Sequence, residues 1–173
     1  MRVFLYTIAF ATITEMMMAS SIEKRLGDLG ITLPPPGAPG GNYVPFVVVG
    51  DLAFMAGQVA REAGKMKYTG KVGRDLSIEK GHEAARLCAV NLLAQLKVAC
   101  GGDLDRVERC VRIGGFVNSP PDFFDHPKVV NGASDLMVEV FGERGQHART
   151  AVGVSALPLD SAVEIEAVFQ LKG

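Results

Sequence analysis

The run Pro34-Pro35-Pro36-Gly37-Ala38-Pro39-Gly40-Gly41 does most to limit how this chain can fold. Its prolines lack amide donors and its glycines have no strong conformational preference, so it can form neither a helix nor a central strand. It reads as an extended connector, and any sheet must be built from residues beyond it. Ahead of it, Ser20 and Glu23 stand at capping-box spacing, which predicts a short helix ending at Gly30. Further upstream, Met1 to Ala19 holds four of the seven methionines and is apolar from Val3 to Ile13. Thr7 and Thr12 interrupt that stretch, and Glu15 stands where a signal peptide needs a small-x-small cleavage site. It is also too short for a bilayer, which takes about 20 residues. Residues 1–19 are therefore expected to be an N-terminal extension, disordered or a start-site artefact, and residues 20–173 a single domain.

Beyond the connector the hydrophobic period alternates between strand and helix. Phe46 to Val49 and Leu52 to Gln58 are β-like runs joined by Gly50-Asp51, a two-residue hairpin signal. A Gly- and Lys-rich loop leads to Ser77. From there Ile78, Ala85, Cys88, Leu92, Leu96 and Ala99 recur at helical spacing until Gly101-Gly102. Val107 to Val117 alternates as a strand. Asp125 offers an N-cap and Pro127 a first-turn proline to a second helix, whose stripe of Val129, Val130, Ala133, Leu136, Met137, Val140 and Phe141 runs up to Gly142. Ala148 to Ser155 and Val163 to Leu171 read as two last strands about the turn Pro158 to Ser161. This order predicts an α/β (α+β) domain, a mixed sheet with two helices packed on one face.

Composition removes several function classes. Eighteen Lys and Arg against nineteen Asp and Glu leave a net charge of -1 without a basic patch, which disfavours nucleic acid as a partner. Cys88, Cys100 and Cys110 are odd in number and lack C-x-x-C spacing, so they read as small buried hydrophobes in a reducing, cytoplasmic compartment. His82, His126 and His147 fall on different elements with no ligand set around them, so no metal is expected. The Gly37 to Gly41 stretch lacks the Lys-Ser/Thr of a phosphate loop, and no G-x-S-x-G elbow is present. No cofactor and no membrane association are predicted.

What remains is polar chemistry in the C-terminal third. Arg149 opens one strand. On the last, Glu164 and Glu166 share one face while Val163, Ile165, Ala167 and Phe169 share the other. Two readings stand: a solvated sheet face, or a site in which the planar Arg fork holds a carboxylate bidentately and a nearby Glu holds water or moves a proton. The second points to a small carboxylated substrate.

At these residues the chain resembles the RidA/YjgF family, also called reactive intermediate deaminases or L-PSP endoribonuclease-like proteins. The segment His147-Ala148-Arg149-Thr150-Ala151-Val152-Gly153-Val154-Ser155-Ala156-Leu157-Pro158, followed by Val163-Glu164-Ile165-Glu166, is similar to the family's C-terminal signature. Phe54-Met55-Ala56-Gly57-Gln58 resembles its Ser-Gly-Gln strand, and Val130-Asn131-Gly132 its Val-Asn-Ala helix opening. The resemblance runs from about Asn42 to the end. It implies a chorismate-mutase-like fold, a barrel-like homotrimer and three clefts between subunits. It also implies hydrolysis of small 2-imino or enamine acids to 2-oxo acids and ammonia, as in 2-iminobutanoate/2-iminopropanoate deaminases. Carried over, Arg149 would clamp the carboxylate and Glu164 hold the water. Asn131, Tyr43, Ala56, Gly57 and Ala151 would line the cleft. Ala56 stands where the family has Ser, Ala151 where it often has Cys, and Gly132 where it has Ala.

Chain length bears on assembly. If the last two strands form a hairpin, Glu164 lies opposite Ala156, and Arg149 is seven residues farther on, roughly 23 Å away at about 3.3 Å per residue. One hairpin cannot bring the two together, whereas a closed oligomer can. Two further functions follow from other features. The emptied positions Ala56 and Ala151 suit a metabolite-binding or regulatory trimer without turnover, and the family's older names suggest an endoribonuclease or translation inhibitor.

Overall fold

The structure, a computed structural model, describes residues 21–173; the expectations for residues 1–19 and for a Ser20 cap lie outside them. Helix α1 spans Ser21–Asp28 and buries Ile22 and Leu26. Its first amides are capped by Asp105, which accepts from Ser21 N at 2.6 Å and Ile22 N at 3.1 Å. Local spacing could not reveal this cap, because its donor and acceptor are 84 positions apart. The Pro/Gly connector is extended, as its composition requires, and Gln95 Nε2 pins it by donating to the Gly37 carbonyl at 2.7 Å.

The strands are β1 (Phe46–Val49), β2 (Leu52–Val59), β3 (Arg61–Glu62), β4 (Lys65–Met66), β5 (Val107–Asn118), β6 (Ala148–Val154) and β7 (Val163–Leu171). Helix α2 covers Ile78–Ala99 and α3 His126–Phe141. The stretch read as a Gly/Lys loop contains β3 and β4, a small ribbon turned by Ala63 and Gly64, both at positive φ. Its residues are poor strand formers, so only the turn could have marked it. Ser77 caps α2, accepting from Lys80 N. Asp125 stands at the N-cap of α3 without capping it and pairs with Lys128 at 2.9 Å.

The main sheet runs β1-β2-β7-β5-β6. All pairs are antiparallel except β5 with β6. The hairpin supposed for the last two strands does not form, because β5 lies between them. Strict alternation along β7 buries Val163, Ile165, Ala167 and Phe169 against the helices. The stripes of α2 and α3, with Cys88, Leu92, Leu96, Val130, Leu136 and Met137 fully buried, pack on that same face. This is the predicted mixed sheet with two long helices on one side, and among the described residues its opposite face carries no helix.

Gly132 explains one departure from the family pattern. It stands where α3 crosses α2, and a Cβ there would run into the His82 carbonyl. Alanine is the better helix former by about 1 kcal/mol, yet backbone cannot move aside as a side chain can. Gly132→Ala is therefore expected to cost about 1–3 kcal/mol, read as a lowered denaturant midpoint at unchanged slope.

Candidate active site

Arg149 lies near the start of β6, the sheet edge beside α3. Its Nη1 donates to Asn131 Oδ1 at 2.7 Å and to Ser134 Oγ at 3.0 Å. Asn131 and Ser134 are three residues apart on α3 and so share one face of it. Both Nη1 protons are thereby engaged. Among the described residues nothing bonds to Nε or Nη2 and no carboxylate pairs with Arg149. The guanidinium is held by one corner and presents its Nε–Nη2 edge, which matches the two oxygens of a carboxylate. Ala151, two residues on and on the same face, packs against the core.

Glu164 sits at the start of β7 on the face turned away from α2 and α3. Gly57 faces it so closely that a Cβ would overlap Glu164 Oε1, and Gly114 plays the same part for Glu166, with Oε1 2.6 Å from the corresponding position. Two glycines on flanking strands thus make room for two carboxylates. Burial, and second the charge of Glu166, hold the Glu164 carboxyl above the usual glutamate range. Glu164 and Gly57 line a cleft of about 780 Å³ whose walls include Pro35, Pro39, Tyr43 and Leu159. The Tyr43 hydroxyl accepts from Gly40 N at 3.3 Å. Ala56 lies with Gly57 in the β2 bulge between Met55 and Gln58, and its amide donates to the Pro45 carbonyl at 2.9 Å.

The proposed residues therefore form two groups: Asn131, Arg149 and Ala151 at the β6–α3 edge, and Tyr43, Gly57 and Glu164 in the cleft. Arg149 is in register with Ile113 and through it with Ala167; Glu164 is in register with Phe116 and through it with Val152. Three residues along and two strands across separate them, about 10 Å in each direction. The odd offset also puts them on opposite faces of the sheet. The hairpin premise fails and with it the expected 23 Å, since the two lie about 14 Å apart on the diagonal, but within one chain they still do not meet.

Residues 23–170 match the model of the family described as "YjgF/chorismate mutase-like, putative endoribonuclease". The chain belongs to this family. It is 43% identical to Protein TCP17 of Trypanosoma cruzi over 158 residues, covering 91% of this chain and 98% of that one. The crystal structure of Atu1372 from Agrobacterium tumefaciens, a protein of unknown function, superposes with a TM-score of 0.82 at 47% identity, over 87% of this chain and 92% of that one. E. coli TdcF, crystallised with bound serine, superposes with a TM-score of 0.56 at 25% identity, over 82% and 96% of the two chains. The chorismate-mutase-like family fold is thus this chain's own.

Sequence reasoning missed Ser134, whose i+3 spacing from Asn131 was the available signal, and it weighed His147 only as a metal ligand. His147 Nε2 lies 3.0 Å from Ser134 Oγ. The cysteines are all free and buried, with burial raising the Cys100 thiol to about 11, Cys110 to about 12 and Cys88 well above its ordinary value, so none supplies a thiolate. Among the described residues no helix is long and apolar enough to cross a membrane.

Proposed function

We propose that this family member hydrolyses small 2-imino or enamine acids to 2-oxo acids and ammonia, with Arg149 clamping the carboxylate and Glu164 activating water. The observation that carries the reading is the anchored Arg149 fork, its Nε–Nη2 edge unengaged by protein among the described residues. With the carboxylate held there, C2 of the imine would stand open to water. A half-buried carboxylate of raised affinity for protons is suited to take a proton from that water and return it to the departing nitrogen. The products are one 2-oxo acid and one ammonia. Imines hydrolyse readily by themselves, so orientation plus one general base is sufficient chemistry. The bound serine of TdcF, itself an α-amino acid, agrees with a small carboxylated ligand. Three buried thiols without disulfides suit a cytoplasmic setting.

The opposite faces occupied by Arg149 and Glu164 favour a site completed between copies of the chain, and we take the assembly to be the homotrimer the family resemblance implies. The sheet face turned away from the helices, bare among the described residues, supports this. Val47 is 50% exposed, Phe54 46% and Val152 39%, an apolar surface of the kind that subunits cover. Phe54→Glu is expected to turn the trimer into monomer in sedimentation velocity, with helix content retained and hydrolysis lost.

The activity itself is tested by generating a 2-imino acid with an amino-acid oxidase and trapping it with semicarbazide. Added protein should suppress semicarbazone formation in proportion to its concentration. No suppression, together with calorimetric binding of 2-oxo acids, would favour a metabolite-binding trimer without turnover.

A further inference from the structure

The Arg149 fork is itself held by a chain of hydrogen bonds that begins well outside the site. Gly145 closes the turn after α3 and presses on it so tightly that a Cβ would collide with the Met137 carbonyl. That contact fixes the Gly145 carbonyl, which lies 2.7 Å from His147 Nδ1. A carbonyl can only accept, so Nδ1 carries the proton, and in the neutral ring Nε2 is then an acceptor. Nε2 is 3.0 Å from Ser134 Oγ. Ser134 Oγ also receives Arg149 Nη1 at 3.0 Å, so its own proton is directed to His147. Each group has one consistent role: His147 donates to Gly145, Ser134 donates to His147, and Arg149 donates to Ser134 and Asn131.

The electrostatics agree with a neutral ring. Burial outweighs the opposing pull of the Gly145 carbonyl and, with a smaller push from the Arg149 charge, leaves the His147 imidazole below its ordinary value. Three charged groups on α3 and in the turn after it are engaged elsewhere. Asp135 lies 3.5 Å from His82, Glu139 pairs with Arg86 at 2.7 Å, and Arg144 Nη1 donates to the Val107 carbonyl at 2.7 Å. Among the described residues, the Arg149 guanidinium is the charge that disfavours a protonated His147 ring.

We propose that Ser134 and His147 are positioning residues for the carboxylate clamp: neutral His147 orients the Ser134 hydroxyl, which with Asn131 fixes Arg149 Nη1 so that the Nε–Nη2 edge faces the substrate. This rests on the reading of Arg149 as the clamp and adds the residues that set its orientation. A long exposed arginine carries several rotamers, and holding one of them before binding removes that cost from the binding step. The carboxylate is held alike in substrate and transition state, so loss of this pre-orientation falls on KM and hardly on kcat.

The test is titration calorimetry with 2-oxobutanoate, alongside the semicarbazide assay, on the full-length protein. Ser134→Ala, a mild change on a helix, should weaken binding about five- to tenfold and raise KM alike, with kcat within about twofold. Ser134→Thr keeps the hydroxyl and should restore binding. His147→Phe keeps ring bulk without the acceptor and should weaken binding in the same direction. Wild-type affinity in Ser134→Ala, or equal losses in Ser134→Ala and Ser134→Thr accompanied by a lowered unfolding midpoint, overturns the positioning role and leaves the clamp intact. If the wild type neither binds 2-oxobutanoate nor hydrolyses imines, the clamp reading fails and this inference falls with it.

Discussion

Arg149→Ala is expected to lower kcat/KM for 2-imino acids by about 100- to 4000-fold while the protein unfolds at its wild-type midpoint. Two hydrogen bonds from a charged fork to a carboxylate are together worth about 3–5 kcal/mol, and each 1.4 kcal/mol is a factor of ten. The fold should not notice, because Arg149 is exposed and its partners Asn131 and Ser134 can turn to water. Calorimetry with a 2-oxo acid should show binding lost in step. A rate within about threefold of wild type would return Arg149 to a solvated sheet edge and remove the proposed reaction with it.

Glu164→Gln is expected to cost about 100- to 10000-fold in kcat, the usual worth of a placed general base, with KM little changed. The pH dependence has a definite sign. Burial and Glu166 raise the Glu164 carboxyl above its ordinary 4.5, so wild-type kcat/KM should fall on acidification with a midpoint above that value. The same shift bears on stability. A carboxyl whose folded pKa is raised favours the fold only while protonated; that contribution is present below the unfolded value and is lost as pH rises through the folded one. At pH 7 ionised Glu164 therefore opposes folding, and Glu164→Gln should unfold at the same or a higher temperature than wild type while being nearly inactive. Slow turnover with a lowered midpoint would instead mean that the variant had damaged the sheet.

Much of the fold was legible because periodicity reports burial directly. The stripe from Val129 to Phe141 became α3, and the alternation from Val163 to Phe169 became β7 with its Glu residues on the opposite face. What escaped was whatever depends on chain segments distant in sequence. Asp105 caps α1 from 84 positions away. The insertion of β5 between β6 and β7 reverses the hairpin expected of consecutive strands. The site divides in the same manner. Arg149 and Glu164 stood out as charges in strand patterns, whereas the helical spacing of Ser134 from Asn131 gains its meaning, and His147 its partner, only when α3 and β6 are laid side by side.

Local pattern and motif sufficed for the family, the element order and the two charged side chains that carry the proposed chemistry. The tertiary structure alone decided that Arg149 and Glu164 occupy opposite faces of one sheet, that Gly57 and Gly114 make room for the carboxylates, and that an arginine is anchored by one corner. The reason is physical. A side chain's face follows from counting residues along its own strand, but its neighbours follow from which strand lies beside it, and that is set by packing of the whole core.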